Sequence, residues 1–245
     1  MEQYCICYNL IDHNFKNIPP LPEAYIVSTE DGNLNYTEKN ATKATLRSYG
    51  ISIDHTDHQH LLTICDELKP TALEQRFQPK KRRKTVTLTE LEKDSKINEV
   101  LLNFVHRKLN TFYQLLQKNQ YPITLAAKRK EHLENFRLQV AENPIEPILQ
   151  FTKTPEGIEY AFQLNFEGNI ITPHKHSIQI LLNEPSWITL DQTITQIKDL
   201  NANKLKPFRN KEKIIIEQKH VKTYLEKVII PIIKNIEVEA QGFYE

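Results

Sequence analysis

The apolar residues of this chain change their spacing near Pro144, and that change limits the folds open to it. Before it, Ile97, Val100, Leu101, Phe104, Val105, Leu109, Phe112, Leu115 and Leu116 recur at helical intervals. Asn103, Arg107, Asn110, Gln114 and Lys118 fall on the opposite side, so the spacing predicts a long amphipathic helix stopped by Pro122. Thr87 and Glu90 stand at capping-box spacing ahead of it. After Pro144 the pattern alternates. Tyr160, Phe162, Leu164 and Phe166 point one way, and Glu159, Ala161, Gln163 and Asn165 the other, as in a half-buried strand. "TPEG" before it and "EGN" after it are turn signals, so an antiparallel meander follows. Further short strands are predicted at Ser177–Leu182, Trp187–Leu190, Ile194–Lys198 and Lys213–Glu217. "HVKTYLEKVIIPIIKNI" reads as a closing helix, kinked or ended near Pro231.

The first segment is mixed. "YCICYNLI" and "LPEAYIVST" read as strands, and Asp31-Gly32 marks a turn. Leu61, Leu62, Cys65 and Leu68 have helical spacing, broken at Pro70. "LAAKRKEHLENFRLQVAE" reads as a second, more polar helix. The expected class is α+β: a helical first half with a few strands, then an antiparallel β meander closed by a C-terminal helix. The expected organisation is a mixed N-terminal segment over residues 1–78, a basic linker with a helical hairpin over 79–143, and a β-rich domain over 144–245.

At 245 residues, 39% hydrophobic and 26% charged, the chain can bury a core without staples. Its three cysteines, Cys5, Cys7 and Cys65, have no framework spacing, which fits reduced thiols and a cytoplasmic setting. No apolar run reaches the ~18 residues that a membrane span needs. The N-terminus lacks the cationic start and apolar stretch of a signal peptide.

Much chemistry is missing. No two of the five glycines lie close enough for a phosphate loop or a dinucleotide fingerprint, devices that need backbone amides against phosphate without a Cβ between. Asp66-Glu67 in "LLTICDEL" resembles an acidic magnesium box, but the apolar spacing around it fits a helix face. "DHTDHQH", Asp54 to His60, is the best metal candidate, with His174 and His176 repeating its H-x-H spacing. Structural zinc sites recruit cysteines at another spacing, so a polar loop or helix start is the commoner fate of such a cluster.

What remains is cationic. The net charge is only +1, yet the positive residues cluster. One run is Lys80, Lys81, Arg82, Arg83 and Lys84; a second is Lys128, Arg129 and Lys130. The third is Lys204, Lys206, Arg209, Lys211 and Lys213, with Phe208 interleaved. A lone run is ordinarily a solvated face, whereas three runs in one chain point toward phosphate contacts.

The region from Leu61 to Phe243 resembles the part that precedes the motor in bacterial Swi/Snf-type superfamily-two DNA helicases. The resemblance rests on "LLTICDELKPTALEQRFQPKKRRKT" and "RKLNTFYQLLQ", then on "FTKTPEGIEYAFQL", "NEPSWITLDQTITQI" and "NANKLKPFRNKEK…KTYLEK…VEAQGF". It implies a non-catalytic accessory region that docks on helicase motor lobes, in cis or in trans, and touches the DNA backbone without reading sequence. The parent would be a DNA-dependent ATPase. The phosphate loop and magnesium box of such a motor are not in this chain, so ATP and magnesium enter only through the motor, and no catalytic residue carries over. Lys204, Lys206, Arg209 and Lys211 are the first candidates for phosphate contact, as a loop held between strands. Lys80, Lys81, Arg82, Arg83 and Lys84 are the second. The alternative is a protein-interaction module without nucleic-acid binding, using Val221, Tyr224, Leu225, Val228, Ile229, Ile232 and Ile233. A metal-dependent nuclease built on residues 54–60 is a third reading.

Overall fold

The computed structural model describes residues 3–79, 86–125, 133–231, 233 and 236–242. The chain forms two compact units, Met1–Val140 and Ala141–Glu245.

The first unit is built on five strands. β1 (Gln3–Ile11), β2 (Leu21–Glu30) and β3 (Asn33–Asn40) form an antiparallel ribbon, with Ile6 opposite Ile26 and Glu30 opposite Asn33. Asp31 and Gly32 make the two-residue turn between β2 and β3. Both have positive φ, 49° and 83°, as a turn matching the strand twist requires. Two short helices follow, α1 (Lys43–Ser48) and α2 (Thr56–Glu67), then α3 (Pro70–Arg76) with proline in its first turn. The Thr87–Glu90 capping box is formed, but it starts a one-turn helix, α4 (Leu88–Leu91). The long helix α5 (Ser95–Asn119) begins separately, where the Asp94 carboxylate accepts from the amides of Lys96 and Ile97. Its buried face is Leu101, Phe104, Val105, Leu109, Phe112, Tyr113 and Leu116, whereas Val100 is 60% exposed. β4 (Ile123–Leu125) then joins β1 in parallel, and β5 (Arg137–Val140) pairs antiparallel with β4. The order within the unit is therefore β3-β2-β1-β4-β5.

The second unit carries two strand groups. β6 (Glu146–Thr154), β7 (Gly157–Phe166) and β8 (Asn169–Ile171) are antiparallel neighbours. β9 (Ile178–Asn183), β10 (Ser186–Leu190) and β11 (Thr193–Ile197) form the predicted meander. β12 (Lys213–Glu217) pairs with β7, and β13 (Glu237–Gln241) runs parallel to β6. Tyr160, Phe162 and Leu164 of β7 point into the core together with Leu149 and Phe151 of β6, as the alternation predicted.

The expected class needs correcting. Helix and strand each take 37%, and the helices are spread through the chain. The first half is no helical region with a few strands: five hydrogen-bonded strands carry it, and α2, α3 and α5 accompany them. Much of the polar segment expected to be helical instead ends in a one-turn 3-10 helix, Leu133–Phe136, and β5, where Leu138 and Val140 alternate with exposed residues. The closing helix is likewise short. α6 (Val221–Tyr224) runs into a single π turn, Leu225–Ile229, and the chain then becomes β13. The helical turns end at Ile229, near Pro231 where a kink or stop is expected, and β13 begins only at Glu237.

At Gly157 the backbone of β12 leaves no room for a side chain on β7. Its φ is 151°, and a Cβ there would lie 2.0 Å from the Ile216 carbonyl oxygen. Gly168 also has positive φ, but open space surrounds it. Gly157→Ala is expected to cost about 3 kcal/mol, from overpacking and backbone strain together. Gly168→Ala is expected to cost about 1 kcal/mol, from strain alone. Urea unfolding of the two variants measures the difference, and equal losses would remove the close-approach explanation.

Candidate nucleic-acid interface

The segment after β11 is expected as a loop and is found as an eight-residue 3-10 helix, Ala202–Arg209. Its sequence explains the form. A 3-10 helix repeats every three residues, so side chains at i and i+3 lie over one another. Ala202, Leu205 and Phe208 follow that spacing and are 0%, 0% and 1% exposed. The Phe208 ring meets Tyr160 edge-on at 5.0 Å and lies 5.8 Å from Phe162. At the N-terminal end, the Asn201 side-chain oxygen accepts from the Asn203 amide at 3.0 Å, and its NH2 group donates to Glu184. The helix is thus anchored along one side and capped at its start.

The cations lie on the other sides. Lys204, Lys206, Arg209 and Lys211 are all exposed. Among the described residues none of the four forms an ion pair, whereas Lys213 is held by Glu159 at 2.7 Å. The turn Pro173–Lys175 packs against the same helix and adds an exposed Lys175 that sequence reasoning missed. A single cation far away in sequence gives no signal of its own. The second candidate group, Lys80 to Lys84, and the run Lys128 to Lys130 lie outside the described residues.

The histidine cluster is put to another use. Asp57 accepts from Lys118 and from the Asn119 NH2 group, at 2.8 Å and 2.9 Å. The His58 ring stacks on Tyr121 with centroids 3.8 Å apart. Its Nδ1 lies 3.0 Å from the hydroxyl of the buried Tyr8. Tyr121 in turn sits 3.3 Å from His55 Nδ1. Burial pushes the Tyr8 phenol pKa up and the His58 pKa down, with His55 adding to the His58 shift and Asp57 opposing it. The phenol and the imidazole share one hydrogen bond, whose direction follows the imidazole tautomer. Among the described residues no three side chains of metal-ligating type converge. His176 is paired with Asp191, whose carboxyl it holds below the usual range, helped by the Ser177 amide. Asp66 and Glu67 lie on α2 and pair with Lys69 and Lys108.

No family model matches the chain, and no curated protein or solved structure matches it. Among the described residues no helix is long and apolar enough to cross a membrane.

The histidines give a pH dependence of known sign. The fold keeps His58 neutral, and His106 is lowered by burial in the same way. An unfolded imidazole takes a proton near pH ~6.5. Stability from these groups is therefore complete above that pH and is lost as pH falls through it. Urea midpoints at about pH 7 and about pH 5 are expected to show the loss, and His58→Gln is expected to shrink it. A midpoint that the substitution leaves equally pH-dependent would assign the effect elsewhere.

Proposed function

We propose that this chain is a non-catalytic accessory region of a Swi/Snf-type DNA helicase or translocase, contacting duplex phosphates without sequence specificity. One observation carries the reading. Three exposed cations without ion pairs among the described residues, Lys204, Lys206 and Arg209, stand on a helix fixed to the core by Leu205 and Phe208, and Lys211 follows just past its end. Such a surface offers charge at little entropic cost, because its backbone is already ordered. The sequence resemblance supplies the helicase context. On this reading the chain accompanies a motor that would bind ATP and magnesium. The free thiols Cys5, Cys7 and Cys65 agree with a cytoplasmic setting.

The protein-interaction alternative loses its main support. Val221, Tyr224, Leu225, Val228 and Ile233 pack against the core of their own unit, and Ile229 is buried in it. Ile232 lies outside the described residues. The metal-dependent nuclease reading has His58 engaged by Tyr8, His55 by Tyr121 and Asp57 by Lys118 and Asn119.

Fluorescence anisotropy with a random-sequence duplex tests the proposal. Affinity is expected to fall steeply between about 50 mM and 200 mM salt. Replacing Lys204, Lys206, Arg209 and Lys211 together by alanine is expected to reduce the slope of log K against log salt by about 2–3 units. Absence of binding at the lower salt would end the nucleic-acid reading.

A further inference from the structure

The 3-10 geometry sorts the exposed residues of Ala202–Arg209 into two lines. Asn203, Lys206 and Arg209 share one; Lys204, Pro207 and Asn210 continue the other. All six are exposed, and the third line, Ala202, Leu205 and Phe208, is the buried one. At ~2.0 Å rise per residue, neighbours along a line stand about 6 Å apart. That repeat is comparable to the distance between successive phosphates of one nucleic-acid strand. Only the first line carries a side-chain N–H donor at every step: an amide, an ammonium and a guanidinium.

We propose that Asn203, Lys206 and Arg209 form a row that takes three successive phosphates along one strand of duplex DNA. This rests on the nucleic-acid reading above and adds the direction and register of the contact. The row is straight because Phe208 is held between Tyr160 and Phe162 while Leu205 is fully enclosed. It is available because neither Lys206 nor Arg209 forms an ion pair among the described residues. Lys204 stands on the neighbouring line, where Pro207 interrupts the donors. It contributes long-range attraction and no phosphate in the row. In an α-helix residues three apart are offset by about 60° around the axis, whereas here they fall in line.

Adding charge tests the row without removing a contact the fold needs. Asn203→Lys puts a cation at the first step of the row, and Asn210→Lys puts the same charge on the other line. With the full chain and a random-sequence duplex, Asn203→Lys is expected to steepen the salt slope by about 0.9, an added loss of about threefold between 50 mM and 200 mM salt. Asn210→Lys is expected to leave the slope within error of the parent. Circular dichroism confirms that both variants are folded. Equal steepening by the two variants would overturn the row while leaving DNA binding in place. A steeper response to a single-stranded oligonucleotide than to duplex would overturn the commitment to duplex. No binding by the parent protein at 50 mM salt would overturn the row together with the reading beneath it.

Discussion

The second unit depends on one aromatic contact group. Phe208 meets Tyr160 and Phe162, and Tyr160 stacks on Phe151 at 5.2 Å with planes 11° apart. Through these rings the 3-10 helix, β7 and β6 share one core. Enclosing Phe208 and Leu205 stabilises the unit by about 1.5–3 kcal/mol each. That is enough to hold a helix type whose own hydrogen bonds are poor. Without the anchor, the segment would revert to the loop that its Lys, Asn and Pro content favours locally. The charged surface is therefore a product of the core beneath it.

The first unit is organised by a different group. Tyr8 lies on β1 and meets Phe112 of α5 edge-on, while its hydroxyl reaches His58 of α2. A polar atom inside a sheet–helix contact must be satisfied, and the imidazole does so. Tyr113, also fully enclosed, is pushed up in pKa by the same burial. One histidine of the cluster that suggested metal chemistry, His58, here ties α2 to the sheet.

How legible was this in the residues? Strands β7, β9, β10, β11 and β12 were, because alternation and turn residues are local signals; β8 was not. The hairpin turn at Asp31-Gly32 and the body of α5 were legible for the same reason. β13 was not. "EVEAQ" is exposed along its whole length, and only its pairing with β6 makes it a strand. The break between α4 and α5 was missed: Asp94, which caps α5, follows the Thr87 capping box by only seven residues. The cations of the candidate interface were visible as a cluster. Their alignment was hidden, although Ala202, Leu205 and Phe208 already showed the interval of three that produces it.

The parallel pairing of β13 with β6 has a consequence for synthesis. The Gln150 side chain donates to Glu239 at 2.6 Å, across 89 residues of chain. On the ribosome, β6 and β7 emerge early and can close their hairpin at once. The other margin of β6 then waits, with its amides and carbonyls unpaired, until almost all of the unit has been made. For that interval the nascent chain offers a bare strand to any other extended peptide nearby. Its vulnerable period is set by the time needed to translate the stretch from β6 to β13.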